Sequence, residues 1–227
     1  MKKIVFFLLF VNFAQAQFGS GNIKLENYNK TNFLTNLSKA GEGKLNNSID
    51  GSPFLFSDDD ISNFVITATD KNEFTLKSLN YDLRTNSLFV AANKDSIMEF
   101  KSDLVDHLMV DNKKFQFFII NEVKKLSEVL FKSDKILFVN GFYLGITKEK
   151  IDPMTKLVTT GKKYFKEDRF YLKINNNDFV EVKLKEKPIL KLFSDKSNLI
   201  KGYANENNLD FAKSGDVVKI LTYYESL

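Results

Sequence analysis

Between residues 64 and 184 apolar side chains recur at every second position, and β-branched and aromatic types dominate, which is the signature of short, half-buried strands. Phe64, Ile66 and Ala68 alternate with Val65, Thr67 and Thr69. Phe74 and Leu76 alternate with Thr75 and Lys77, after a turn at Asp70, Lys71 and Asn72. A segment holding Tyr81 and Leu83 follows, then residues 88–90, 97–100, 108–110, 115–120, 128–131, 136–139, 143–147, 156–165, 170–174 and 179–184. Asp, Asn, Lys and Gly fill the turns between them, most plainly at Thr85-Asn86 and in the polar run 175–178. About a dozen closely spaced strands predict a mainly β fold, an antiparallel meander forming a barrel, roll or sandwich.

The period changes after Pro188. Pro188 suits a first helical turn, and Ile189, Leu190, Leu192 and Phe193 follow as a short apolar helix. Asp195 or Ser197 is placed to cap a second helix carrying Leu199, Ile200, Tyr203 and Ala204. Ser214 is placed to cap a third, with Val217, Val218, Leu221 and Tyr224 on one stripe. Helices this short are marginal alone in water, so these short C-terminal α-helices are expected to pack on the β domain.

The first 16 residues read differently. Lys2 and Lys3, the apolar run 4–10 continuing through Val11 and Phe13, and then Ala14-Gln15-Ala16 are the three parts of a cleavable signal peptide, with cleavage after Ala16. The run falls well short of the roughly 20 residues that cross a bilayer. No later stretch comes nearer, so the mature chain is expected to have no transmembrane segment. Export through the general secretory route follows, to the periplasm, the outer membrane, the cell surface or beyond. Residues 17–52 are a polar, partly ordered lead-in punctuated by Gly19, Gly21, Gly41 and Gly43. Within them, residues 31–40 are predicted as a short helix with Thr31 as cap and Phe33, Leu34 and Leu37 on one face. The turn at Gly51-Ser52-Pro53 then opens a single β-rich domain over residues 53–227, with its helical tail from about 188.

Composition narrows this picture. The chain has no Cys, so neither a disulfide scaffold nor a lipid-anchored N-terminal cysteine is available, and stability must come from an apolar core. An exported chain of 227 residues, 43% apolar and without Cys, reads as bacterial. Losing Lys2 and Lys3 with the leader lowers the net charge from +4 to near +2. Lys and Asp/Glu are mixed along the whole length, as at residues 183–187, so no basic stripe marks a nucleic-acid partner.

Candidate chemistry is sparse. His107, between Asp106 and Leu108, is the only His. His-based metal sites and most Ser-His-Asp arrangements need more than that, and His107 reads as a surface or hydrogen-bonded side chain rather than a general base. No Gly-x-Ser-x-Gly elbow, P-loop or Gly-x-Gly-x-x-Gly occurs. The acidic run Ser57-Asp58-Asp59-Asp60 lacks the alternate spacing and distant Glu of an EF-hand, and reads as a solvated loop or helix cap. No catalytic, cofactor-binding or metal-ligating residue is therefore assigned. A carboxylate pair depends on a separation that only the fold sets, so none is singled out.

Three stretches carry a family resemblance: Gly51-Ser52-Pro53-Phe54-Leu55; the run from Tyr81-Asp82-Leu83-Arg84-Thr85-Asn86 to Ser87-Leu88-Phe89-Val90; and Gly141-Phe142-Tyr143-Leu144. With the ending from Ile189 to Phe193 and on to Tyr223-Tyr224-Glu225-Ser226-Leu227, they resemble a family of small exported envelope proteins from Bacteroidota. Phe54 and Leu83-Arg84-Thr85 depart from its usual wording, which has Tyr in the first turn and an Arg-Tyr-Asn-like centre in the strand. The resemblance implies an envelope location and supplies no activity.

Three functional classes follow. A non-enzymatic envelope protein that binds another envelope protein, as an accessory subunit of an outer-membrane or surface assembly, should show an exposed apolar patch or a long open strand edge. A periplasmic carrier of a lipid or other apolar ligand should show an apolar cavity of roughly several hundred Å³. An enzyme should show a polar cleft with converging titratable groups. The absence of motifs favours the first. Of the 23 Phe residues, Phe6, Phe7, Phe10 and Phe13 leave with the leader, and the remainder suit a cavity or a core equally.

Overall fold

The structure is a computed structural model and describes residues 34–39, 49–56, 63–77, 79–93, 96–175 and 177–227. The leader, most of the polar lead-in and the Ser57-to-Asp60 run lie outside the described residues.

The fold is mainly β with three C-terminal helices. Its largest element is a nine-stranded sheet. In chain order the strands are β1 (Leu34–Lys39), β2 (Ile49–Asp50), β3 (Phe64–Ala68), β4 (Glu73–Leu76), β5 (Leu79–Asp82), β6 (Ser87–Asn93) and β7 (Ser96–Phe100). They continue with β8 (Val105–Val110), β9 (Lys113–Ile120), β10 (Val123–Lys132), β11 (Ile136–Ile146), β12 (Lys150–Ile151), β13 (Val158–Thr160), β14 (Lys162–Ile174) and β15 (Val180–Val182). The large sheet runs β15-β14-β11-β10-β9-β8-β3-β4, with β2 alongside β14. A four-stranded sheet runs β1-β7-β6-β5, and β12 and β13 pair with each other. Among the described residues every strand pairing is antiparallel except the short parallel contact of β2 with β14.

Local chemistry accounts for the meander. Asp111 and Asn112 between β8 and β9, and Asn121 and Glu122 between β9 and β10, all have positive φ. Two consecutive left-handed residues are what a tight hairpin needs to match the twist of its strands.

The registers place both covers of the large sheet on one face. Along β11, Ile136 and Phe138 point the same way as Phe142 and Leu144. The first two join Leu172 and Val182 under the helices α1 (Glu186–Leu192), α2 (Ser197–Glu206) and α3 (Ser214–Glu225). The last two join Phe64, Ile66, Leu108, Phe115 and Leu126, packed against Leu79, Tyr81, Leu88 and Phe100 of the small sheet. Tyr81 ties the two sheets together. Its hydroxyl accepts the Leu126 N–H at 3.1 Å and donates to Asn86 Oδ1 at 3.2 Å. The sandwich is thus completed partly by strands and partly by helices, and it does not close into a barrel.

Several sequence expectations change. Residues 34–39 form strand β1, paired from Leu34↔Phe100 to Lys39↔Ser96, and not the predicted helix; a long-range partner outweighs a weak local helical pattern. Segments 136–139 and 143–147 fuse into β11, because Asn140 and Gly141 stay in the ladder. The parts read as 156–165 and 170–174 likewise resolve into β13 and the long β14. The helical tail starts at Glu186. Ser197 and Ser214 are the first helical residues rather than caps, and neither preceding Lys provides a side-chain cap. Leu199 is half exposed, while Ile200 and Ala204 are buried.

Candidate functional site

Beyond Leu144 the β11–β14 pair runs on as an arm, residues 145–166, whose base stays against the body, with Tyr164 beside Arg84 and Lys166 on the Leu55 carbonyl. Its ladder continues unbroken to Ile146↔Tyr164, and β2 flanks it at Lys162↔Ile49 and Lys163↔Asp50. On one face of the arm the Phe165 ring covers Gly145, its cross-strand partner: a Cβ there would lie 2.2 Å from Phe165 Cζ, so the exposed ring would have to shift. Toward the tip, Thr147 and Lys163 exchange two hydrogen bonds, both of 2.9 Å, one through the Thr hydroxyl. The apex is ordered by Asp152, whose carboxylate accepts the N–H groups of Met154 at 2.8 Å and Thr155 at 2.7 Å. Those hydrogen bonds hold Asp152 below the ordinary carboxylate range.

The arm's surface is unusual in two respects. Met154 is 91% exposed and Leu157 68%, and Ile146, Ile151, Val158 and Phe165 are also exposed. Isolated exposed apolar side chains are ordinary, whereas here six of them fall within residues 146–165. The arm also carries Lys148, Lys150, Lys156, Lys162, Lys163 and Lys166 against only Glu149 and Asp152. Lys162 pairs with Glu149 at 3.9 Å, and Lys166 donates to the Leu55 carbonyl at 3.0 Å. The others project without a carboxylate partner among the described residues.

A second feature lies at the root of the arm. Leu55, Phe56, Phe64, Phe115 and Phe142 wall a half-open recess of about 220 Å³, with Asp111, Lys113 and Glu128 at its mouth. The volume is below the range usual for ligands of drug size.

On the opposite face of the large sheet, Tyr171, Val139 and Ile120 form a small core with Phe118 and Phe179. Tyr143 lies between two cations there, Lys125 Nζ at 4.1 Å from its ring centre and Arg169 Cζ at 4.3 Å. Burial, and then the charge of Arg169, lower the Lys125 pKa.

His107 sits on β8, with Nδ1 3.2 Å from Asp106 Oδ2 and Nε2 3.4 Å from Thr67 Oγ1. Asp106 also receives Lys71 at 3.1 Å, and these two partners lower its pKa. The His therefore belongs to a surface hydrogen-bonded chain. No group of three or more His, Cys, Asp or Glu that could hold a metal occurs among the described residues. No helix among them is long and apolar enough to cross a membrane.

Comparison with protein-family models, curated proteins and solved structures returns no match. The geometry of the chain itself carries the functional reading.

The exposed apolar residues of the arm were not marked by sequence reasoning. Ile151, Leu157 and Val158 follow the same alternation as buried strand residues elsewhere. The one available signal was the Lys density of residues 148–163.

Proposed function

We propose that this is a non-enzymatic envelope protein that binds a partner protein through its projecting arm, as an accessory subunit of a larger assembly. The observation that supports this reading is the set of exposed apolar side chains at Ile151, Met154, Leu157 and Val158, in the arm beyond the end of the β11–β14 ladder. The Lys excess around it specifies the partner: a protein surface with an apolar depression rimmed by Asp or Glu. In such an interface the apolar residues supply affinity and the charges supply orientation and rate of encounter.

The test is a photo-crosslinking residue at position 154 in the full chain expressed in its own cells, followed by native mass spectrometry. The expected result is one crosslinked protein at fixed stoichiometry, joined through an acidic segment and released as salt rises, since exposed charge pairs are screened over about 8 Å at physiological ionic strength. Crosslinks to lipid alone, or a bare monomer, overturn the reading.

The alternative, a periplasmic carrier of a lipid or other apolar ligand, has the Phe-lined recess in its favour. At about 220 Å³ it suits a small group rather than a lipid, and co-purified apolar mass in the same spectrum would bring this reading forward.

A further inference from the structure

Parts of the three stretches of family resemblance, residues 51–55, 81–90 and 141–144, lie far apart along the chain and meet at the base of the arm. The β10–β11 ladder stops at Ser127↔Gly141, although β10 begins at Val123 and β11 runs on with β14 to Ile146. Where β11 parts from β10, the Leu126 N–H donates to the Tyr81 hydroxyl at 3.1 Å. Residues 53–55 run beside the end of β5: the Leu55 N–H donates to the Tyr81 carbonyl at 2.9 Å, and the Leu83 N–H to the Pro53 carbonyl at 3.1 Å. Gly51, at φ +85°, lies against the Tyr164 backbone of the arm.

Arg84 joins these pieces from the turn between β5 and β6. Its Nη2 donates to Asp82 Oδ2 at 2.6 Å, its Nε to Asp82 Oδ1 at 3.0 Å and its backbone N–H to the same Oδ1 at 2.8 Å. Its Cζ lies 5.9 Å from the Phe54 ring centre, and a further N–H donates to the Tyr164 hydroxyl on β14. One planar group thus touches the small sheet, the connecting segment and the arm. Only 28% of the Arg84 side chain and 10% of that of Asp82 is exposed, so salt screens this pair less than the surface pairs of the arm.

Farther out the arm has little to steady it. Every residue from 146 to 163 except Asp152 is exposed, and a two-stranded ribbon with no covering layer is marginal by itself. Its direction is set by contacts at its base.

We propose that Arg84 is the positioning residue of the arm: by tying Tyr164 to Asp82 it fixes the direction in which residues 151–158 are presented. Its effect on binding rests on the reading of the arm as a contact surface, whereas its effect on direction does not. A surface held in one direction spares the partner the cost of ordering it. Lys is no substitute, because a point charge on a flexible stem cannot hold a carboxylate, a ring and a hydroxyl in the fixed geometry of the guanidinium fork.

The chain has no Cys, so nitroxides on Lys156→Cys in the arm and Lys187→Cys in α1, both exposed, measure one distance in the full chain by double electron–electron resonance. The distribution is expected to be narrow with Arg84 and Tyr164 in place and to broaden in Arg84→Lys and in Tyr164→Phe. Tyr164→Phe removes only the arm's hydroxyl and leaves the Asp82–Arg84 pair, so its denaturation midpoint should match that of the parent. In both variants the partner captured through position 154 should bind about tenfold more weakly, the size of one added ordering cost. A Tyr164→Phe distribution as narrow as the parent's, or a broadened arm that holds its partner as tightly as before, would overturn the proposal. The first decides the matter even where Arg84→Lys fails to fold. A parent chain that captures no partner removes the arm as a contact surface, and the widths then decide by themselves whether Arg84 sets its direction.

Discussion

β11 and β14 form one continuous antiparallel ladder from Ile136↔Ile174 to Ile146↔Tyr164, and the hairpin has two parts in opposite surroundings, an inner half within the body and an outer half beyond Leu144. The inner half buries Ile136, Phe138 and Leu172 beneath three helices. The outer half carries Ile146 and Phe165 in solvent and ends in the exposed Met154 and Leu157. Backbone pairing is the same in both, so pairing alone does not distinguish stability from function. In the inner half the hydrophobic effect holds the strands; in the outer half hydrogen bonds, the Phe165–Gly145 stack and the Asp152 turn hold them, and the apolar side chains are left over for another surface.

That contrast can be broken from either side. The largest effect belongs to the inner half: Phe138→Ala empties a fully buried ring position and should cost about 3–5 kcal/mol in chemical denaturation. A loss under about 1 kcal/mol would mean that the helices do not depend on the inner ladder.

Next comes the link between the two sheets. Tyr81→Phe leaves the buried Leu126 N–H without its acceptor and should cost about 1–3 kcal/mol. Burial pushes the Tyr81 hydroxyl up to about 12 from 10.0. Its folded pKa is raised, so its contribution is complete below pH 10 and is lost as pH climbs from 10 toward 12, where only the unfolded chain readily ionises. Alkaline denaturation should therefore be less steep over that window in Tyr81→Phe. Curves of equal slope would show that Tyr81 ionises as easily in the fold as outside it.

In the outer half, Gly145→Ala displaces the Phe165 ring, and the expected cost is under about 1 kcal/mol, with faster amide exchange confined to the arm. Exchange that quickens in the helices as well would join the two halves into one cooperative unit. Smallest of all, Met154→Ser combined with Leu157→Ser should change stability by no more than about 0.5 kcal/mol, since neither side chain is buried. The same pair should abolish the crosslinked complex. A stable chain that still binds would remove the arm from the proposed function.

Much of the architecture was legible along the chain. Alternation located the strands from Phe64 to Val182 except β12 (Lys150–Ile151), and the change of period located the three helices, because both periodicities arise from local backbone geometry. Residues 34–39 were misread because Phe33, Leu34 and Leu37 fit a helix face as well as a strand, and their pairing with Ser96–Phe100 depends on a segment some sixty residues away. The candidate sites were less legible still. Phe64, Phe115 and Phe142 are ordinary strand residues in isolation, and no spacing rule brings them round one recess with Phe56.

The sequence by itself determined the element types, the mainly β class with a helical tail, and the absence of any cysteine-based staple. Those properties follow from side-chain period and composition, which each stretch carries locally. Only the tertiary structure decided which alternating strands became core and which became arm. Burial depends on what packs above a residue, and the covers of this sheet, the strands before residue 100 and the helices after residue 186, lie far from it along the chain.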